Sequence, residues 1–271
     1  MKYKSFSYPY ILWVIIFIVV PMGLVIFFSF TDINGAFTFK NIIEVSNYSG
    51  IFLNSIGMGL LATAICLIIG YPMAYILSKL DFKNQNLAIM LIMLPMWINF
   101  LLRTYAWMTL LENNGLINKF LAIFGIQPIQ MINTSGAVVL GMVYNFLPFM
   151  ILPIYTVITK LDENIIEAAK DLGANKFNIL LRIILPLSIP GIISGFTMVF
   201  VPAVSTFVIS KMLGGGANLL IGDLIDMQFL GSSYNPNLGS AMSLVLMILI
   251  LICMGIMNQF NDSYAEERMI I

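Results

Sequence analysis

Six long apolar runs, separated by shorter polar segments, divide the 271-residue chain. They cover about 9–30, 51–78, 87–111, 136–159, 188–210 and 239–257. Each is long enough to cross a hydrocarbon layer, which takes ~20 helical residues. None shows the apolar–polar alternation of a membrane barrel strand, so each is expected to be a helix. The connections near 31–50, 112–135, 160–187 and 211–238 are too short to hold an independent domain. The expected fold is all-α and integral to the membrane: one transmembrane domain over residues 1–271, with six helices. The first run follows Met1-Lys2-Tyr3-Lys4, as in a signal peptide, but no small-residue cleavage site follows it. It therefore reads as a retained first span.

The 160–187 connection has a different pattern. Asp162 or Asn164 is placed to cap a short helix. Ile165, Ala169 and Leu172 then share one face, while Glu163, Glu167, Lys170 and Asp171 fall largely on the other. Gly173 stands where a helix end favours a left-handed residue. A second segment, 176–185, is stopped by Pro186. The pattern predicts an amphipathic helix, a glycine turn and another helix lying along the membrane face. A merely solvated connector has no need of the apolar face.

Pro21, Pro72, Pro95, Pro148, Pro153 and Pro202 interrupt the spans, which membrane helices tolerate when neighbours satisfy the freed backbone. Ordinary kinked packing would account for them. A moving, water-lined path is favoured where polar and aromatic groups accompany them. Such groups are Trp97, Asn99, Tyr105 and Trp107 in span three, Tyr144, Asn145 and Tyr155 in span four, and Ser205 and Thr206 in span five. Trp97 and Trp107 are equally readable as interfacial anchors. Arg103 is the one charge well inside a span, which costs several kcal/mol unless it faces the bundle interior or snorkels.

Composition narrows the class. Charged residues are 10% of the chain and hydrophobic ones 60%, too few charges to clothe a soluble globule. Net charge is zero, so nothing points to nucleic acid. Without histidine, the usual zinc ligand and general base are missing; neither metal ligands nor catalytic residues are expected. Cys66 and Cys253 lie in apolar runs and read as small buried hydrophobes. Six spans place Lys2, Lys4, Lys79, Lys83, Lys160, Lys170, Lys176, Arg182 and Arg268 on one side, against Lys40, Lys119 and boundary residue Lys211 on the other. The positive-inside rule makes both termini and the 160–187 loop cytoplasmic. The opposite loops carry Asp32, Glu44, Glu112, Asp223 and Asp226.

Glu167-Ala168-Ala169, then Gly173, then Ile183-Ile184-Leu185-Pro186 resemble, in order and spacing, the EAA loop of ABC-importer permeases. The resemblance implies the methionine-importer-like (type I) permease fold, with a coupling helix between helices 4 and 5. It implies that Glu167, Ala168, Ala169, Asp171 and Gly173 dock a cytoplasmic ABC ATPase dimer. Leu94-Pro95-Met96-Trp97, the Leu102–Trp107 segment, Leu147-Pro148-Phe149-Met150, and Leu219–Asp223 followed by Gln228-Phe229 look like PotB-type permeases of spermidine/putrescine importers. Many members have asparagine where this chain has Asp223.

The resemblance implies a bacterial inner-membrane subunit that moves polyamines inward by alternating access. Its partners would be the ATPase, a second, PotC-like permease in a heterodimer, the lipid bilayer and an extracytoplasmic substrate-binding protein. Asp223 is not carried over as a family residue; from their place in the acidic outer loops, Asp223 and Asp226 are expected contacts for the binding protein. ATP and Mg would be held by the partner ATPase and no cofactor by this chain, in which Gly214-Gly215-Gly216 lacks the lysine of a phosphate loop. The same machine for another amine, an amino acid, thiamine or ferric iron is the nearest alternative. An ion-coupled secondary transporter would need more intramembrane charge than Arg103. A membrane-embedded enzyme would need clustered His, Asp or Glu.

Overall fold

The computed structural model describes residues 7–269 apart from 217 and 232, and its described residues are helices joined by short turns, with an isolated antiparallel bridge between Thr31 and Phe37. Lys2 and Lys4, used above for orientation, lie outside the described residues, as does the side chain of Arg268. Four helical segments are long and apolar enough to cross a bilayer unbroken: Pro9–Ser29, Lys40–Ser78, Ser135–Ile158 and Pro236–Gln259. Two bent pairs bring the number to the expected six when each pair is taken as one span.

The helices, in chain order, are α1 (Pro9–Ser29), α2 (Lys40–Val45), α3 (Ser49–Ser78), α4 (Phe82–Trp97) and α5 (Phe100–Leu111). Next come α6 (Leu116–Ile123), α7 (Ser135–Ile158), α8 (Glu163–Asp171) and α9 (Lys176–Leu187). The chain continues through α10 (Ile189–Ser205), α11 (Val208–Leu213), α12 (Ile221–Leu230) and α13 (Pro236–Met269).

Span three is not the straight helix expected over 87–111. Its axis turns by 88° between Phe82–Trp97 and Phe100–Ile123. Pro95 brings no N–H to the last turn of α4. Ile98 and Asn99 then go extended, and the Asn99 side chain accepts from Leu101 N at 2.8 Å to start α5 afresh. Span five differs similarly from the expected 188–210. A helix already running from Lys176 bends by 64° at Ser188, between Pro186 and Pro190, and α10 ends at Ser205, where Thr206 turns extended. Upstream of Pro186 the backbone widens into a π-turn over Leu180–Ile184, the local adjustment that a missing donor calls for.

The core lies where α3, α7 and α10 pack together. Ala62, Cys66 and Ala74 of α3, Met150, Ile151 and Ile154 of α7, and Val199 and Ala203 of α10 are fully buried there. In lipid, helices are held by close van der Waals packing rather than by expulsion of water, which favours small residues at the contacts. Gly195 is the sharpest case: a Cβ there would lie 2.9 Å from Met150 Sδ and 3.1 Å from its carbonyl oxygen. Cys66 is fully buried, whereas Cys253 is only partly so. The outer helix α1 exposes nearly its whole surface and packs against α13. Asn237 at the start of α13 donates to Thr31 O at 2.6 Å, tying the two together.

Candidate functional site

The 160–187 connection folds as a capped helical hairpin. Asp162, rather than Asn164, is the cap: its Oδ1 accepts from Asn164 N at 3.0 Å. The far end of α8 closes by two reaching bonds, Gly173 N to Lys170 O at 2.8 Å and Ala174 N to Ala169 O at 3.0 Å. This is the Schellman arrangement, and it needs a left-handed residue at its centre. Gly173 supplies it at φ 80°. Asn175 Oδ1 then accepts from Asn178 N at 2.8 Å and starts α9.

The helix divides its surface differently from the expected apolar stripe. Ile166 and Ala169 turn inward against the core. Ile165 and Leu172, expected on the Ala169 face, point outward, and Leu172 is 89% exposed. Glu167, Ala168, Asp171 and Gly173 are exposed beside them. Ala169 is therefore a packing residue whose side chain is turned away from that surface. The exposed face combines two large apolar side chains, a short alanine and carboxylates, a mixed surface of the kind that marks interaction sites.

The expected path residues are not gathered in one place. Trp107 and Tyr144 meet edge to face, ring centroids 5.3 Å apart. Trp97, Asn99 and Tyr105 are exposed, and Asn99 is engaged as the cap of α5. Asn145 is buried, with Nδ2 donating to Gly141 O at 2.8 Å, while its Oδ1 has no hydrogen-bond partner among the described residues. Tyr155 is packed partly against the core. Ser205 is bonded to Val201 O at 3.0 Å, and Thr206 is buried at the end of α10. Arg103 has a buried Nε without a partner among the described residues, and its guanidinium carbon lies 5.9 Å from the Phe100 ring centroid.

Asp223 and Asp226 occupy α12, at the end of span five remote from the 160–187 loop. Asp223 is only 5% exposed, so it cannot serve as the surface contact expected of it. Its Oδ2 accepts from Leu220 N at 2.9 Å and caps its own helix. Burial pushes its carboxyl above the ordinary value, opposed by the Leu220 N–H, Ser210 and Lys211. Asp226 Oδ2 pairs with Lys211 Nζ at 3.2 Å. The pair is 15 positions apart, across a turn that no periodicity spans, so the sequence pattern carries no signal for it.

The whole chain can be set beside known proteins. Residues 3–264 match the family described as binding-protein-dependent transport system inner membrane component. The spermidine/putrescine transport system permease protein PotB of Haemophilus influenzae is 41% identical over 259 residues, covering 92% of this chain and 90% of that protein. The fold matches the crystal structure of a bacterial ABC transporter involved in the import of the acidic polysaccharide alginate. There the TM-score is 0.79 and the identity 17%, over 96% of this chain and 94% of that one. The alginate transporter in complex with its alginate pentasaccharide-bound periplasmic protein matches at a TM-score of 0.77 and 17% identity, over 94% and 92% of the two chains.

Proposed function

The chain belongs to the family of binding-protein-dependent transport system inner membrane components, a multi-pass membrane permease of the ABC-importer kind, and we propose that it carries polyamines such as spermidine and putrescine. The observation that carries the proposal is 41% identity to a spermidine/putrescine permease over nearly the full length of both chains. An alginate permease shares the fold at 17% identity, so the fold alone would not select the cargo.

In this reading α8 is the coupling helix. Glu167, Ala168 and Asp171, with exposed Ile165 and Leu172, form the surface seated on an ABC ATPase dimer, and Gly173 shapes the turn behind it. ATP and Mg are assigned to that ATPase, because Gly214-Gly215-Gly216 lacks the lysine of a phosphate loop. The 160–187 loop and both termini face the cytoplasm, in line with the basic residues on that side. A PotC-like second permease completes the path. An external binding protein delivers the cargo at the far end of span five. The edge-to-face pair Trp107–Tyr144 offers an aromatic surface for ammonium groups.

Cells lacking their own polyamine uptake, supplied with the full set of subunits, are the test. Radiolabelled spermidine should accumulate, and unlabelled putrescine should compete while thiamine and amino acids do not. Accumulation blocked by one of those other solutes and indifferent to putrescine would assign a different cargo.

A further inference from the structure

Span three ends in a segment that does not continue across the membrane. α4 has 16 residues, about 24 Å of helix, which covers most of the ~30 Å hydrocarbon layer. The Phe100–Ile123 segment then turns away by 88°. α5 packs against α11, beyond the end of α10 that is remote from the 160–187 loop. α5 and α6 thus run along the plane of that far membrane face rather than through it.

The roll of α6 about its own axis is fixed. Asn118, only 2% exposed, accepts from Ile129 N at 2.9 Å and donates to Ile129 O at 3.0 Å. With Asn118 turned inward, Ile117 packs against the core, and Leu116, Phe120, Ile123 and Phe124 point outward. These four recur at helical spacing on one stripe and are between 61% and 77% exposed. Phe120 and Phe124 meet edge to face, ring centroids 5.3 Å apart, and form one aromatic block. Exposed Lys119 stands at the edge of the stripe.

The size and rim of this face single out lipid as what covers it. At that exposure the four side chains present on the order of 500 Å² of apolar surface, since one aromatic side chain alone buries ~150–250 Å². Such a patch is large for a surface left in water. It is smaller than the ~800 Å² that each partner brings to a stable protein interface. The lipid boundary has the matching chemistry: acyl chains for the stripe, and phosphates for the Lys119 ammonium on its flexible stem.

We propose that α6 is an interfacial helix, seated in the leaflet remote from the 160–187 loop, with Leu116, Phe120, Ile123 and Phe124 among the acyl chains and Lys119 at the phosphates. Asn118 Nδ2 also donates to Glu112 O at 3.3 Å, just past the end of α5. Through that bond α6 holds α5 at a fixed depth. The inference rests on the membrane embedding of the chain and is independent of what the chain carries.

The test uses the complete transporter in vesicles, with an NBD fluorophore on Phe120→Cys or, separately, on Ile123→Cys, both in a Cys253→Ala background. Cys66 is fully buried and stays unlabelled. Phe120 and Ile123 are exposed, so the label displaces no core contact. Lipid bearing a nitroxide high on its acyl chain should quench both labels about threefold more than aqueous iodide does, as befits groups ~5–10 Å below the headgroups. Iodide quenching equal to or above that of the lipid, at either position, overturns the proposal and places the face in water. Protection from both quenchers also overturns it, and assigns the face to a companion permease or a binding protein.

Discussion

The Tyr71 phenol meets the Ser188 hydroxyl at 3.0 Å, across 117 positions of sequence. Ser188 gives its own hydrogen to Leu185 O at 2.9 Å, so Tyr71 is the donor in the pair. The bond joins α3 of the core to the 64° elbow by which α9 leaves the 160–187 hairpin and enters α10. In the proposed coupling role of α8, this joint would carry its movement into the bundle. Tyr71→Phe keeps the ring and deletes the bond. We expect about 1 kcal/mol less stability, seen as a lower melting temperature in detergent, together with less cargo moved per ATP hydrolysed. Unchanged values in both would show the elbow to be held by packing alone.

Gly173 sits at φ 80° with nothing within 4 Å of where a Cβ would stand. Gly173→Ala therefore meets no clash and costs only the left-handed backbone, about 1 kcal/mol. Gly173→Val costs more, and Gly173→Asn less. Retention of the ATPase during purification should fall in the order asparagine, alanine, valine. Glu167→Lys, which leaves the backbone untouched, should reduce ATPase retention without altering the permease's own melting temperature.

Gly195→Leu would drive its side chain into Met150 Sδ and the Met150 carbonyl, at 2.9 and 3.1 Å from the Cβ alone. Over-packing of this kind costs about 1–3 kcal/mol, and here it parts α10 from α7. The expected outcome is loss of the folded band in size-exclusion chromatography. Gly195→Ala should fold with a lowered melting temperature: the Met150 thioether can swing away, while the Met150 carbonyl at 3.1 Å must give by a few tenths of an ångström.

Asp223 is held above its ordinary value chiefly by burial. The folded chain thus binds the proton more tightly than the unfolded one. Stability falls as pH rises from the ordinary carboxylate range through the raised value, and the protonated form is the favourable one below it. Melting temperatures of the wild type should decline across that acid window more steeply than those of Asp223→Asn, whose amide oxygen still accepts from Leu220 N. Parallel profiles would place the pH response elsewhere.

Much of this architecture was legible in the sequence. The long apolar runs announced α1, α3, α7 and α13, and the Asp162 cap with Gly173 announced α8. Breaks were harder to see: Pro95 signalled a kink, but the new start at Asn99 depends on a side chain turning back to its own backbone, which composition does not reveal. Helical spacing put Ile165 with Ala169, yet the tilt of α8 sends Ile166 inward instead, because tertiary packing rather than periodicity sets which edge is buried. Asp223 looked like a surface acid. The turn before α12 buries it, and its place on one cavity wall with the Lys211–Asp226 pair arises only once that turn is closed.

Whether this chain is a polyamine permease driven through α8 is decided by uptake of radiolabelled spermidine into vesicles reconstituted with it, a companion permease, the ATPase and the binding protein. Accumulation should require ATP and the binding protein and be abolished when Glu167→Lys breaks the proposed α8 contact. Uptake that persists without ATP, follows an ion gradient, or is unaltered by Glu167→Lys would contradict it.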